Sequence, residues 1–401
     1  MSQPLDLDTL LQACTPGGAS VLVSTTELAP AAGEHGGIAP ARFTSGRSGT
    51  YAFETRNLSG EAVTTVLIDS KQSQSNRQED ALNLAREAGD EALSQMPQML
   101  LTYSDDQHLT DTTAPHRAFD GHFRAGTIGG QPVTQHPTYI AARNATLANA
   151  RALLELSPVS LLYGAWDATR KSHQARFRTT LVGEIIGVLT DQSDDGVKIA
   201  KRGGARRDEV SPSVQLSGDE LEQILSAQEA ELSPTTVKDI RDKIKRAKTG
   251  KVSGSVVGLG SIPPSLEALG LVSCSQIIRS HVLTFSALRQ LRFGSPGAGD
   301  VACRALLAAL GLYGLTLANQ ELVLRANCDL VEAEPTKMWL DGRYGTRVEI
   351  SVPTPAEAKQ LLLDAAEHAK AEAGIRWEGQ EFAVVGNPAI ARGAIAEDPE
   401  D

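Results

Sequence analysis

The order of hydrophobic and polar positions predicts alternating strands and helices interrupted by two polar stretches. The run VTTVLIDS (63–70) is β-branched and apolar and predicts a buried strand. Beyond it, Ala81, Leu84, Ala85, Ala88 and Ala92 recur at helical spacing, with Ser75 and Gln78 reading as a capping box. A second helix is predicted over 139–156, then a strand over SPVSLLYGAW (157–166) that ends at a polar turn. RFRTTLVGEIIGVL (176–189) begins with alternation, continues apolar and predicts another strand. Core-like sequence resumes in CSQIIRSHVLTFSALRQLRF (274–293) and in the helix VACRALLAALGLYGLTLA (301–318). Thr354 at the N-cap, Pro355 at N1 and Glu357 at N3 predict a helix over 355–373.

Two stretches break this pattern. The first sixty residues are rich in Gly, Pro, Ser and Thr, and GEHGGIAP and FTSGRSGT read as loops. Residues 191–265 are polar, charged and poor in large apolar side chains, so they read as a long insertion unable to hold a core. The whole predicts an α+β fold, one βαββαβ unit with decoration.

Composition narrows the class. With 401 residues and 41% hydrophobic content, a sizeable core is possible. No stretch reaches 18 consecutive apolar residues, which predicts no membrane span. The start, Met1–Leu11, carries Asp6 and Asp8 without a basic residue and does not read as a secretory signal. Cys14, Cys274, Cys303 and Cys328 are scattered, which argues against a disulfide framework or zinc site and for a reducing cytoplasm. A net charge of −11 opposes nucleic-acid binding at first sight, but phosphate affinity depends on local clusters. The acidic excess is concentrated in 218–231, 356–372 and the tail 397–401. Residues 198–207 hold five basic side chains and no acid; residues 241–251 hold six against one.

Catalytic signatures are sparse: HExxH, GxSxG and a strand-following GxGxxG are missing. Thr249-Gly250-Lys251 resembles the end of a phosphate loop, but Lys245 stands where its first glycine belongs and Val252 where a Ser or Thr would hold magnesium. His116, Asp120 and His122 could ligate a metal, although a polar loop satisfying backbone groups accounts for them better; no metal or cofactor is expected. Lys71, Gln72, Ser73, Asn76 and Arg77 open a helix after a strand, where free N–H groups and a positive dipole suit a phosphate. Trp166 and Arg170, with Arg176 and Arg178, gather rings and cations at a strand–turn–strand able to stack a base and hold phosphates. Lys201, Arg202, Arg206 and Arg207, beside glycines in the insertion, read as a phosphate-contacting loop. Only 4% of residues are aromatic, so recognition should be of backbone and shape rather than of many stacked bases.

Several of these segments together resemble the backbone subunit of the type I-G (formerly I-U) CRISPR surveillance complex, of the RAMP superfamily. VLIDSKQSQSNRQEDAL, PHRAFD, SPVSLLYGAWDATR, RFRTTLVGEIIG, LTFSALRQLRFG and LRANCDLVE occur in the order expected of that family, across roughly residues 60–350. The resemblance implies an RRM-like (ferredoxin-like) palm with a long thumb insertion and looped fingers. Mapped on this chain, 1–62 would pack on the palm, 63–190 and 266–375 would form it, 191–265 would be the thumb, and 376–401 would be a C-terminal segment with an acidic tail. It implies a non-enzymatic, cytoplasmic protein that polymerises along CRISPR RNA and presents it to target DNA. The implied partners are the CRISPR RNA, the paired DNA strand, other copies of the chain, a Cascade large subunit and a cap subunit fused to the RNA-processing protein. The palm would supply Lys71 to Arg77, His116, Arg117, Arg170, Arg176 and Arg178. Two alternatives stand beside this reading: a target-RNA-cleaving subunit of the same superfamily, using Asp191, Asp194 or Asp195, and an unrelated cytosolic enzyme.

Overall fold

The computed structural model describes residues 2–46, 48–104, 107–193, 202–204, 214–246, 250–260, 265–267 and 269–391. Its main sheet is built from β1 (Val21–Pro30), β2 (Phe53–Leu58), β3 (Glu61–Asp69), β4 (Leu181–Leu189), β5 (Cys274–Thr284), β6 (Lys337–Asp341) and β7 (Arg347–Ile350). They lie side by side in the order β7-β6-β1-β5-β4-β3-β2, antiparallel at every step, with Leu330–Glu332 extending the pairing along β1.

Within this sheet sits a βαββαβ unit. With helices α1 (Lys71–Glu87) and α2 (Ala298–Ala318), the chain order is β1-α1-β4-β5-α2-β6 and the spatial order is β6-β1-β5-β4. The period-2 pattern fixes which face is buried: Leu22, Ser24, Thr26 and Leu28 of β1 and Ile277, Arg279, His281 and Leu283 of β5 all point inward. α1 packs on β4 and on α2, and α3 (Pro355–Ala373) lies along α2. α2 is buried from Ala302 to Thr316 in the main core; it is long and apolar enough to span a membrane, and its burial is that of a core helix. Gly314 lets the chain approach closely there, since a Cβ would stand 2.9 Å from the Tyr163 hydroxyl. A smaller sheet joins Gln107–Thr110, Gln98–Ser104, Glu381–Val385, Thr127–Ile128 and Gln131–Pro132, with Glu381–Val385 parallel to Gln98–Ser104.

Local readings fare unevenly. The helix over 355–373 has the expected ends, with a reciprocal capping box between Thr354 and Glu357. α1 begins earlier than expected: Ser70, not Ser75, is the N-cap, and Ser75 is buried inside the helix with its hydroxyl on the Lys71 carbonyl. SPVSLLYGAW is not a strand; Pro158–Leu162 is a helical turn with Pro at its first position, and only Ala165–Trp166 is extended. The helix expected over 139–156 is two short ones, Pro137–Arg143 and Arg151–Leu154. FTSGRSGT forms a hairpin rather than a loop, and the first sixty residues supply β1, a central strand of the sheet.

Residues 197–272 form a second compact unit. Its described part corrects the expectation that this stretch holds no core. Helices Gly218–Gln228 and Pro234–Arg246 bury Leu221, Leu225, Val237 and Ile240 against one another, and Leu216, Leu232 and Ile244 pack around them. Spacing i, i+4 on one helix and i, i+3 on the other makes two narrow stripes that suffice when they face each other. The tail 397–401 lies outside the described residues.

Candidate nucleic-acid interface

Two clefts on the larger unit share a wall made by Pro115, Arg117, Tyr163 and Thr179. The larger measures about 880 Å³ and the smaller about 560 Å³. Lys71, Gln72 and Asn76, from the first turns of α1, line the smaller; His116, Trp166, Arg176 and Arg178 line the larger; Arg117 borders both. Residues separated by a hundred positions thus converge as a continuous surface.

The hairpin pairing Ala165–Trp166 with Arg176–Phe177 sets one rim. Trp166 and Arg176 are direct cross-strand partners, and the Arg176 guanidinium lies 5.1 Å from the indole centroid. Both are exposed, so a flat cation and a flat ring face solvent together. Alternation puts Arg178 on the same side, while Phe177 turns into the core.

The shared wall rests on a buried ion pair. Arg117, with φ of 49°, directs Nε and Nη2 onto the two carboxylate oxygens of Glu79, each at 2.6 Å, and Nη1 onto the Gly164 carbonyl at 3.0 Å. Burial pushes the Glu79 carboxyl up to about 7 against the pull of Arg117. Asp111, fully enclosed, is pushed up to about 6 by the same cause. Arg117 is therefore a fixed strut whose charge is already matched, not an open phosphate ligand.

Three more expected ligands are also engaged elsewhere. Arg77 pairs with buried Asp69 at 3.0 Å and reaches the Val323 carbonyl. Ser73 donates its hydroxyl to Asp69 as well. Arg170 is tied to the Arg143 carbonyl at 2.8 Å and the Asn144 side chain at 2.7 Å. Lys201, Arg206 and Arg207, with Asp194 and Asp195, lie outside the described residues; of Arg202 only a strand backbone is described, paired to Glu267. In the second basic cluster Arg241 is bound by Glu222 and Glu229.

Sequence reading missed Arg124, which lines the larger cleft and hydrogen-bonds Thr169, and Tyr163, whose ring backs Arg117. The signal for Arg124 was its place two residues after His122, on the helical turn Gly121–Ala125. Asp120 spends both carboxylate oxygens on the backbone N–H groups of His116 and His122, and His122 Nδ1 meets the Tyr103 hydroxyl at 2.5 Å. Among the described residues no group of three His, Cys, Asp or Glu converges on a metal position.

The architecture and its cleft define an α+β protein with an RRM-like sheet and a cationic, partly aromatic surface. Residues 22–192 match the model of a family described as CRISPR-associated protein GSU0053. The match supports a role in a CRISPR system. No curated protein matches the chain.

Proposed function

We propose that the chain is a non-enzymatic, guide-RNA-binding backbone subunit of a type I CRISPR surveillance complex. In this reading it acts in the cytoplasm, with the partners that the resemblance implies. The observation that supports it best is the convergence of Lys71, His116, Arg176 and Arg178 with Trp166 along one open surface. Cations on a groove with an exposed ring hold a single strand by its phosphates and one stacked base.

The test is purification with and without a CRISPR array expressed alongside, followed by RNA-binding titrations. The parent should copurify with RNA of array length, and Arg176→Ala with Arg178→Ala should weaken binding about equally for unrelated sequences. Binding should also fall with salt, with a log–log slope near −0.7 for each phosphate contacted. Protein that stays free of nucleic acid when the array is present would overturn the reading. Asp191, Asp194 and Asp195 changed together to Ala should leave target-RNA integrity unaltered in magnesium; a cleavage activity lost with them would make the chain a nuclease.

A further inference from the structure

The larger cleft is an electrostatic site of one sign. Arg124, Arg176 and Arg178 border it, and no Asp or Glu stands on its lining. Asp167, next to Trp166 in the chain, is buried and pairs with Arg143, and Arg117 is matched by Glu79. Among the described residues no carboxylate pairs with the other three arginines: Arg124 donates to the Thr169 hydroxyl, Arg176 covers the Trp166 ring, and Arg178 donates to the Thr179 carbonyl. The smaller cleft is mixed. It sets Glu79 and Asp80 beside Lys71, and Lys71 already leans on Glu184 at 3.9 Å. An anion offered to both is drawn to the larger.

The chain delivers an anion to that cleft. The strand Glu381–Val385 packs Val384 over Gly126 and pairs Val385 with Thr127. Gly126 ends the helical turn Gly121–Ala125, which carries Arg124. Gly386 then donates its N–H to the Thr102 carbonyl and lies against the Tyr103 ring, whose hydroxyl meets His122 on the same turn. The described residues finish at the turn Pro388–Ala391. After it, 392–401 reads RGAIAEDPED, one arginine followed by Glu397, Asp398, Glu400 and Asp401. From Ala391 to Glu397 an extended chain reaches about 20 Å.

We infer that the acidic stretch 397–401 folds back onto its own chain and fills the larger cleft when RNA is absent, its carboxylates standing on Arg124, Arg176 and Arg178 in place of phosphates. The inference rests on the RNA-binding reading and concerns the regulation of that same site. Carboxylate and phosphate both suit the fork of a guanidinium, so the two compete. Exposed ion pairs are individually weak, but a tether holds the acids at a local concentration on the order of millimolar. A short RNA must displace them, whereas a long guide gripped through many phosphates does so at little loss. Neither competitor is read by its bases, so recognition stays independent of sequence.

The experiment is a fluorescence-anisotropy titration of full chains, at nanomolar concentration, with short unstructured RNAs of two unrelated sequences. A cleft filled nine-tenths of the time weakens its ligand about tenfold. Glu397→Gln, Asp398→Asn, Glu400→Gln and Asp401→Asn together should therefore tighten both RNAs by about that factor. A chain neutralised at exposed acids elsewhere, Glu61→Gln, Glu321→Gln, Glu367→Gln and Glu372→Gln, carries the same net charge and should gain far less. With Arg176→Ala and Arg178→Ala present, neutralising 397–401 should gain no more than that control. No gain, or one equal to the control's, would overturn the inference and leave RNA binding standing. A gain seen only at micromolar chain and lost on dilution would put a neighbouring copy's acids in the cleft, and would overturn it too. Absence of binding by every chain would overturn both.

Discussion

Gly183 stands directly across the β4–β5 ladder from His281, and the imidazole occupies the space a side chain at 183 would need. A Cβ there would lie 2.1 Å from the ring, whose Nε2 is 3.0 Å from the Gln74 carboxamide oxygen. Gly183→Ala should therefore destabilise the larger unit by about 1–3 kcal/mol, the usual cost of overpacking, because His281 must leave α1 to make room. Urea denaturation checks it; a midpoint equal to the parent's would show that the ring has another place to go.

His281 also sets a pH dependence. Burial pushes its pKa down to about 3, below the ordinary 6.5. A depressed folded-state value means stability present above about 6.5 and lost progressively as pH falls toward 3. Glu79 and Asp111, held high, act in the opposite sense over the same range, so the comparison must be internal. His281→Gln should lose less stability than the parent between pH 6.5 and 4.5, by up to about 1.4 kcal/mol per pH unit. Denaturation midpoints of the two across that range decide it; parallel curves would contradict it.

Removing Arg117 strands the Glu79 carboxylate in a buried site. Arg117→Met should raise the Glu79 pKa further. A folded-state value held above the ordinary 4.5 gives stability that is lost as pH rises, so the variant should fall further below the parent at pH 8 than at pH 5. At the alkaline end the loss should approach the roughly 3–5 kcal/mol of a broken buried pair. A deficit independent of pH would mean that the carboxylate finds a new partner.

The small unit should stand or fall on its own four-residue core. Leu225→Ala should cost about 2–5 kcal/mol and expose residues 214–246 to hydrogen exchange, while the main sheet keeps its protection. Unchanged exchange in those helices would show that other packing holds them.

What the sequence disclosed depended on the range of the interactions involved. Thr354, Pro355 and Glu357 lie within four residues of one another and act locally, so α3 was readable to the residue. Pro158–Leu162 was not: four or five apolar residues suit a strand or a helical turn alike, and only Ser157-Pro158 hinted at the helix. The core of 197–272 was overlooked because Leu221 and Leu225 face Val237 and Ile240 only after the chain reverses. The cationic positions of the cleft were recognised as residue types, but their division of labour was not. Whether an arginine is free or clamped depends on partners in other elements, as Glu79 on α1 is for Arg117.

β4 and β5 form adjacent rungs, and where they part the Thr190 N–H donates to the Ser273 carbonyl at 3.1 Å. Just beyond it the Gln192 side chain bonds the Thr64 backbone on β3, so the larger unit keeps this junction fastened and only 197–272 leaves it. Closure entropy grows only with the logarithm of loop length, so doubling such an excursion costs about 0.6 kcal/mol. The junction therefore works as a socket: a longer insert or a foreign domain in place of 197–272 should leave the ladder from Leu181 to Val188 in register.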